Sequence, residues 1–213
     1  MSISDELDPK PILGRTVVHE GYVFDLVDDR VDLGKAGVVH REYIDHPGAV
    51  AVIVLNNDDE VLLVRQYRHP VRAFLWEPPA GLLDIAGEPA QIGAARELYE
   101  EADLRARTWS VLTDYFTTPG GNNEAIRIFL ARDVEEVPVG ERHEREHEEL
   151  DMETRWVPLG ECVDLVLGGH IHNPSAVVGI LAAHAAKAKG WDTLRSVDAP
   201  WPYRRTAPLT SQV

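Results

Sequence analysis

Three glutamates, Glu97, Glu100 and Glu101, fall within five positions of the segment AARELYEEADL. On a helix, offsets of three and four place all three along one face. Arg96, four residues before Glu100, is the positive partner at helical spacing, and it serves only one of them. The acids also crowd toward the helix C-terminus, where the macrodipole disfavours negative charge. As a wet surface face, each mismatch costs roughly 0.2–0.5 kcal/mol, so a solvated acidic helix is one reading. The surroundings favour another. The helix follows a glycine-containing loop after a strand, and a further acid, Glu88, stands at its start. Clustered carboxylate oxygens suit hard divalent cations such as Mg²⁺ or Mn²⁺, and a cation would remove the repulsion.

The segment GLLDIAGEPAQIGAARELYEEADL, positions 81–104, resembles the Nudix box. That motif reads Gly, five residues, Glu, seven residues, then Arg-Glu-apolar-any-Glu-Glu-any-Gly-apolar. From Glu88 onward the spacing agrees: seven residues to Arg96, then Glu97, Leu98, Tyr99, Glu100, Glu101, and Leu104 at the final apolar position. Two positions depart from it. Six residues separate Gly81 from Glu88, and Asp103 stands at the usual glycine. Aspartate tolerates the left-handed backbone that a helix end often requires. The resemblance implies an α+β fold, a mixed sheet between helices, and hydrolysis of a nucleoside diphosphate linked to another group. It implies Glu97, Glu101 and the Ala80 carbonyl as metal ligands, with Glu100 in the same acidic set and Arg96 orienting the glutamates. The cofactor implied is Mg²⁺, with Mn²⁺ able to replace it.

Pro119 lies 16 positions after Asp103. Together with HPGAVAVIVL, VRQYRHP, WEPPAGLLD and TTPGGNNE, it resembles the ADP-ribose pyrophosphatase branch of that family, in its actinobacterial form, over most of residues 13–185. This implies cleavage of ADP-ribose to AMP and ribose 5-phosphate. A glutamate in EREHEELDM would activate the water; the alignment favours Glu149, with Glu148 the alternative, while a solvated acidic loop is the plain reading. Arg68 resembles an arginine on the substrate phosphates, although a surface arginine paired with a nearby acid would look the same. Glu77 and Pro119 join the implied substrate-binding set, as do Arg41 and Glu42 of the N-terminal sheet. The alternatives are hydrolysis of another nucleoside diphosphate sugar or dinucleotide, and a non-catalytic nucleotide sensor. The intact acids and the lack of a basic helix-turn-helix favour an enzyme.

Other motifs carry less. His143-Glu144-Arg145-Glu146-His147 fits the letters of a zinc-protease helix but lacks an apolar stripe. His170 and His172 read as surface residues, and Cys162, beside Val163 and Leu165, as inert packing.

The elements that must position the acids follow from the rest of the chain. Its 213 residues are 44% hydrophobic and 27% charged, an ordinary globular balance. Thirty-six acidic against 21 basic side chains leave a net charge of −15, which argues against nucleic acid or an anionic membrane as partner. A polyanionic small molecule fits only where metal or arginines reverse the field. One cysteine points to a reducing, cytoplasmic setting, and neither a signal peptide nor a membrane span is expected. Short β segments fill residues 13–44, followed by a predicted hairpin about Asn56–Asp59, the acidic helix after Pro89, strands at 108–115 and 126–131, and a strand in METRWVPL. Helices are predicted at 160–167 and 175–189. The expected organisation is an N-terminal β region at 1–46, a catalytic domain at 47–190 and an irregular tail at 191–213. The branch resembled implies a homodimer using the N-terminal region.

Overall fold

The computed structural model describes residues 3–144 and 152–204, in two units. The first comprises the chain up to Gly48, Phe116–Ala125, and the chain from Trp201. Here β1 (Ile12–His19), β2 (Asp25–Asp32) and β3 (Val38–Asp45) form an antiparallel meander in the order β1-β2-β3. Val27 and Asp29, two apart on the central strand, are buried, as the two-residue period of a strand requires. Residues 116–125 dock on β3 through backbone bonds from Ile44 N–H to the Gly121 carbonyl and from Asn123 N–H to the Ile44 carbonyl.

The second unit contains β4 (Ala49–Val54), β5 (Glu60–Arg68), β6 (Ala73–Glu77), β7 (Ala80–Leu82), α1 (Ala90–Ala102), β8 (Leu104–Phe116, apart from its last residue), β9 (Ala125–Glu136, from Ile126), β10 (Glu153–Pro158), α2 (Leu159–Leu167) and α3 (Pro174–Ala188). One sheet is four-stranded and mixed, in the order β7-β4-β9-β8, with β4 parallel to β9 and antiparallel to β7. The other is antiparallel, in the order β10-β5-β6. All six residues of β4 are buried, and both α1 and α3 pack on this strand. A strand covered on both faces reads as an unbroken apolar run, which AVAVIV is. Gly179 lets α3 approach closely, since a Cβ there would stand 2.7 Å from Ile53 Cδ1. Each buried isoleucine in this seam, Ile53, Ile128 or Ile180, contributes roughly 1.5–3 kcal/mol of apolar transfer.

The two strands flanking Asn56–Asp59 are not a hairpin. Beyond an isolated bridge from Leu55 to Val61, β4 and β5 diverge into different sheets. The polar corner forms as read: Asn56 Oδ1 accepts from Asp58 N–H and Glu60 N–H, and Asp59 takes φ 62°. With Leu and Val buried along both strands, each is more fully covered as an interior strand of its own sheet than in a two-stranded ribbon. The described residues after α3 are held in place: Arg195 and Val111 exchange backbone hydrogen bonds, and buried Arg127 donates to the carbonyls of Ala199 and Pro200. Among the described residues, no helix is long and apolar enough to cross a membrane.

Candidate active site

Helix α1 forms where alanines and glutamates supply propensity, with Pro89 extended at its N-cap. It buries Gly93, Ala94, Leu98 and Glu101, so the acidic face is not a wet one. At its end Asp103 adopts φ 53° and ψ 37°, the left-handed cap expected of the residue at the box-glycine position.

Glu101 is 8% exposed, and its Oε2 accepts from Ala80 N–H at 3.0 Å. Burial pushes its carboxyl up to about 8; the Ala80 hydrogen bond pulls it back, Glu97 pushes it further up, and smaller opposing effects come from Arg68 and Glu77. Glu97 lies across the β7 backbone. A Cβ on Gly81 would stand 2.0 Å from Glu97 Oε1, so only glycine leaves room for that carboxylate. Strand β7 thus places Gly81 against one acid of the helix and the Ala80 amide against another.

Arg96 holds more than the helical spacing indicates. Its Nη1 donates to Glu97 Oε1 at 2.7 Å and Glu100 Oε2 at 3.1 Å, while Nε and Nη2 fork onto Glu88, each at 3.3 Å. The pairing with Glu97 corrects the expectation of a single partner, because a long arginine also reaches its chain neighbour. The guanidinium is held well above its ordinary pKa, chiefly by the hydrogen bond to Glu88 against the opposing effect of burial. Across the sheet, Arg68 forks onto Glu77, with Nε at 2.9 Å from Oε1 and Nη2 at 2.6 Å from Oε2. Glu77 is 2% exposed, so this pair supplies a buried carboxylate with its charge partner.

The second unit therefore brings together Arg68, Glu77, Ala80, Arg96, Glu97, Glu100 and Glu101. Arg41, Glu42 and Pro119 lie in the first unit, exposed, with Arg41 Nη1 donating to the His40 carbonyl. Glu148 and Glu149 lie outside the described residues, as do positions 145–147 of the zinc-like motif. Its His143 stands edge-on to Tyr99. His170 and His172 are exposed. Cys162 is fully buried, and burial, with Glu161, pushes its thiol up to about 12, which fits inert packing. The part of Glu88 in bracing Arg96 was not legible from helical offsets, because Glu88 precedes the helix.

A family model of the NUDIX domain matches residues 45–174, more than half of the chain. The chain belongs to the Nudix family. Over 190 residues it is 44% identical to an ADP-ribose pyrophosphatase of Mycobacterium tuberculosis, spanning 89% of this chain and 90% of that one. An ADP-ribose pyrophosphatase of Bacillus subtilis is 31% identical over 168 residues, 79% of this chain and 89% of its own. A crystal structure of an ADP compounds hydrolase superposes with a TM-score of 0.68 over 88% of this chain and 99% of that one. At 21% identity, that likeness bears on the fold.

Nudix proteins typically use divalent metals, and the residues here fit one. Among the described residues, no three His, Cys, Asp or Glu side chains form a ready-made cage. The donor set is nonetheless hard oxygen throughout, as Mg²⁺ and Mn²⁺ require. A buried carboxylate whose pKa is raised by desolvation and by a like-charged neighbour is one that a cation would restore to its ionised form.

Proposed function

We propose that this Nudix protein hydrolyses the pyrophosphate of ADP-ribose, giving AMP and ribose 5-phosphate. The observation that carries the reading is the extent of its likeness to ADP-ribose pyrophosphatases, which runs over 89% of the chain and so far beyond the box. The geometry of the acids supports the chemistry. Glu97, Glu101 and the Ala80 carbonyl hold Mg²⁺, with Mn²⁺ as a substitute. When bound, the ion supplies charge neutralisation of the pyrophosphate and a lowered pKa for the attacking water.

Arg96 keeps Glu97 and Glu100 in place, and Glu88 anchors Arg96 in turn. Glu149 takes the proton of the attacking water as its oxygen bonds to phosphorus and the bridging P–O bond breaks. Arg68, Glu77, Arg41, Glu42 and Pro119 bind the substrate, Arg68 through a guanidinium whose side chain is 42% exposed. The protein works in the cytoplasm as a homodimer built through residues 1–46. Exposed Ile12, Leu13, Val17 and Val18 on β1 give that region apolar surface to bury.

The test is turnover by purified protein with Mg²⁺ or Mn²⁺ on ADP-ribose, NADH, nucleoside diphosphate sugars and diadenosine polyphosphates. ADP-ribose should give the highest kcat/KM, with AMP as product and no turnover after chelation. A higher kcat/KM for any of the others would reject the substrate assignment.

A further inference from the structure

The segment carrying Pro119 is tied to the N-terminal sheet by the two backbone bonds with Ile44 and, through side chains, by Asn123. Asn123 Oδ1 accepts from His46 N–H at 2.8 Å, and its Nδ2 donates to Asp45 Oδ1 at 2.5 Å. Both ends of the amide are thus engaged, which fixes its orientation. Asp45 in turn is not a free surface acid. Its Oδ2 accepts from Arg15 Nη1 at 3.3 Å, and Arg15 forks onto Asp29, with Nε and Nη2 each at 2.6 Å. Asp29 is 3% exposed and also accepts from the Tyr43 hydroxyl at 3.0 Å.

The result is a chain of charged hydrogen bonds crossing all three strands, since Arg15 pairs with Asp29 on β2 and Asp25 with Asp45 on β3. Its inner end is buried at Asp29, where removing one partner of the pair is strongly unfavourable. Its outer end is the amide of Asn123. Between Thr118 and Asn123 the other ties to the sheet are the backbone bonds of Gly121 and Asn123 with Ile44, while Asn122 Oδ1 bonds locally with the Thr117 hydroxyl and Glu124 N–H. Gly120 and Gly121 would meet nothing within 4 Å if given a Cβ, and Pro119 is exposed. The local bonds, Gly121 and Asn122 N–H to the Thr118 carbonyl, shape the turn without tying it to the sheet.

We propose that Asp45 and Asn123 are positioning residues for substrate: the Arg15–Asp29–Asp45 chain holds Asn123, and Asn123 holds the Pro119 loop in its binding conformation. This rests on the part of the proposed function in which Pro119 binds ADP-ribose. The charge on Asp45 serves Arg15, whereas Asn123 needs only an acceptor. Asparagine at position 45 keeps an acceptor and should therefore preserve loop order better than alanine.

The experiment compares the full chain with Asn123→Ala, Asp45→Ala and Asp45→Asn in three measurements. Hydrogen exchange should show faster exchange at the Gly121 and Asn123 amides in the two alanine variants, with Asp45→Asn close to the parent. Calorimetric binding of ADP-ribose without metal should weaken about tenfold in the alanine variants and recover in Asp45→Asn. Under turnover, KM should rise by a similar factor with kcat within twofold and the Mg²⁺ midpoint unchanged. Unchanged exchange overturns the pinning. Faster exchange with unchanged ADP-ribose affinity overturns the substrate role and leaves the hydrolase reading standing. If the parent binds ADP-ribose and the variants weaken it, but no turnover is seen with any metal, the proposal stands and the hydrolase reading falls. If the parent does not bind ADP-ribose, both fall.

Discussion

Replacing Gly81 by alanine puts a methyl carbon 2.0 Å from Cδ and Oε1 of Glu97 and 2.5 Å from its Cγ. Ordinary contact begins near 3.4 Å, so the carboxylate must retreat by about 1.4 Å. The backbone does not resist the change, because Gly81 is absent from the positive-φ glycines and sits in regular pairing with Val50 on β4. The strain therefore falls on the Glu97 side chain. An off-rotamer χ angle costs about 0.5–1.5 kcal/mol. Loss of the 2.7 Å contact to Arg96, itself partly exposed, adds a similar amount at most. For a chain of this size, 1–2 kcal/mol corresponds to a Tm lower by roughly 2–8 °C. Activity should respond far more, since displacing a positioning group by about 1 Å can lower the rate a hundredfold. Circular-dichroism melting and ADP-ribose hydrolysis over a Mn²⁺ titration measure the two effects separately. The expected result is a folded protein, a hundredfold lower kcat/KM and a higher Mn²⁺ midpoint. Gly160→Ala, where the new Cβ meets nothing within 4 Å, should match the parent. A Gly81→Ala enzyme within threefold of the parent, with an unchanged metal midpoint, would refute the placement of Glu97 at the reacting site.

Glu101→Gln should abolish metal-dependent hydrolysis while the fold persists. It should also flatten the pH dependence of stability without metal. The native carboxyl, raised by burial from 4.5 to about 8, keeps a proton that the unfolded chain has released, so the parent loses stability as pH rises across that window. The slope difference is at most about 1.4 kcal/mol per pH unit, read by urea melts at pH 5, 6.5 and 8; parallel slopes would show that Glu101 is not buried as described. Asp103→Ala should be less stable than Asp103→Gly by about 1 kcal/mol, because both remove the side chain but only alanine is strained at φ 53°. Equal midpoints in urea would contradict the left-handed cap. Glu149→Gln should lower kcat a hundredfold or more with the metal midpoint unchanged, whereas the same loss in Glu148→Gln would move the base by one residue. Light scattering after size exclusion should give two chains per particle, and one chain would reject the homodimer.

Features set by neighbours along the chain were readable before the fold was known. Spacing from Glu88 to Leu104 marked the helix and its acids, and Pro89 and Asp103 marked its ends, because capping and left-handed backbone are set by single residues. Apolar runs marked most strands for the same reason. Contacts between distant segments were not readable in this way. AVAVIV and EVLLVRQYR flank a well-formed polar corner, yet their partners are β7 and β9 in one case and β6 and β10 in the other, and no local pattern names a partner far along the chain. Glu97, Glu100 and Glu101 look alike in sequence; only packing left Glu101 8% exposed beneath the Ala80 amide and gave Arg96 to the other two. Arg68 and Glu77 met across two paired strands, and Asn123 met Asp45 from 78 residues away. The physical reason is common to all of these. Composition fixes which charges a chain carries, but the loss of water around each, and the partner that offsets it, exist only once distant segments have closed over it.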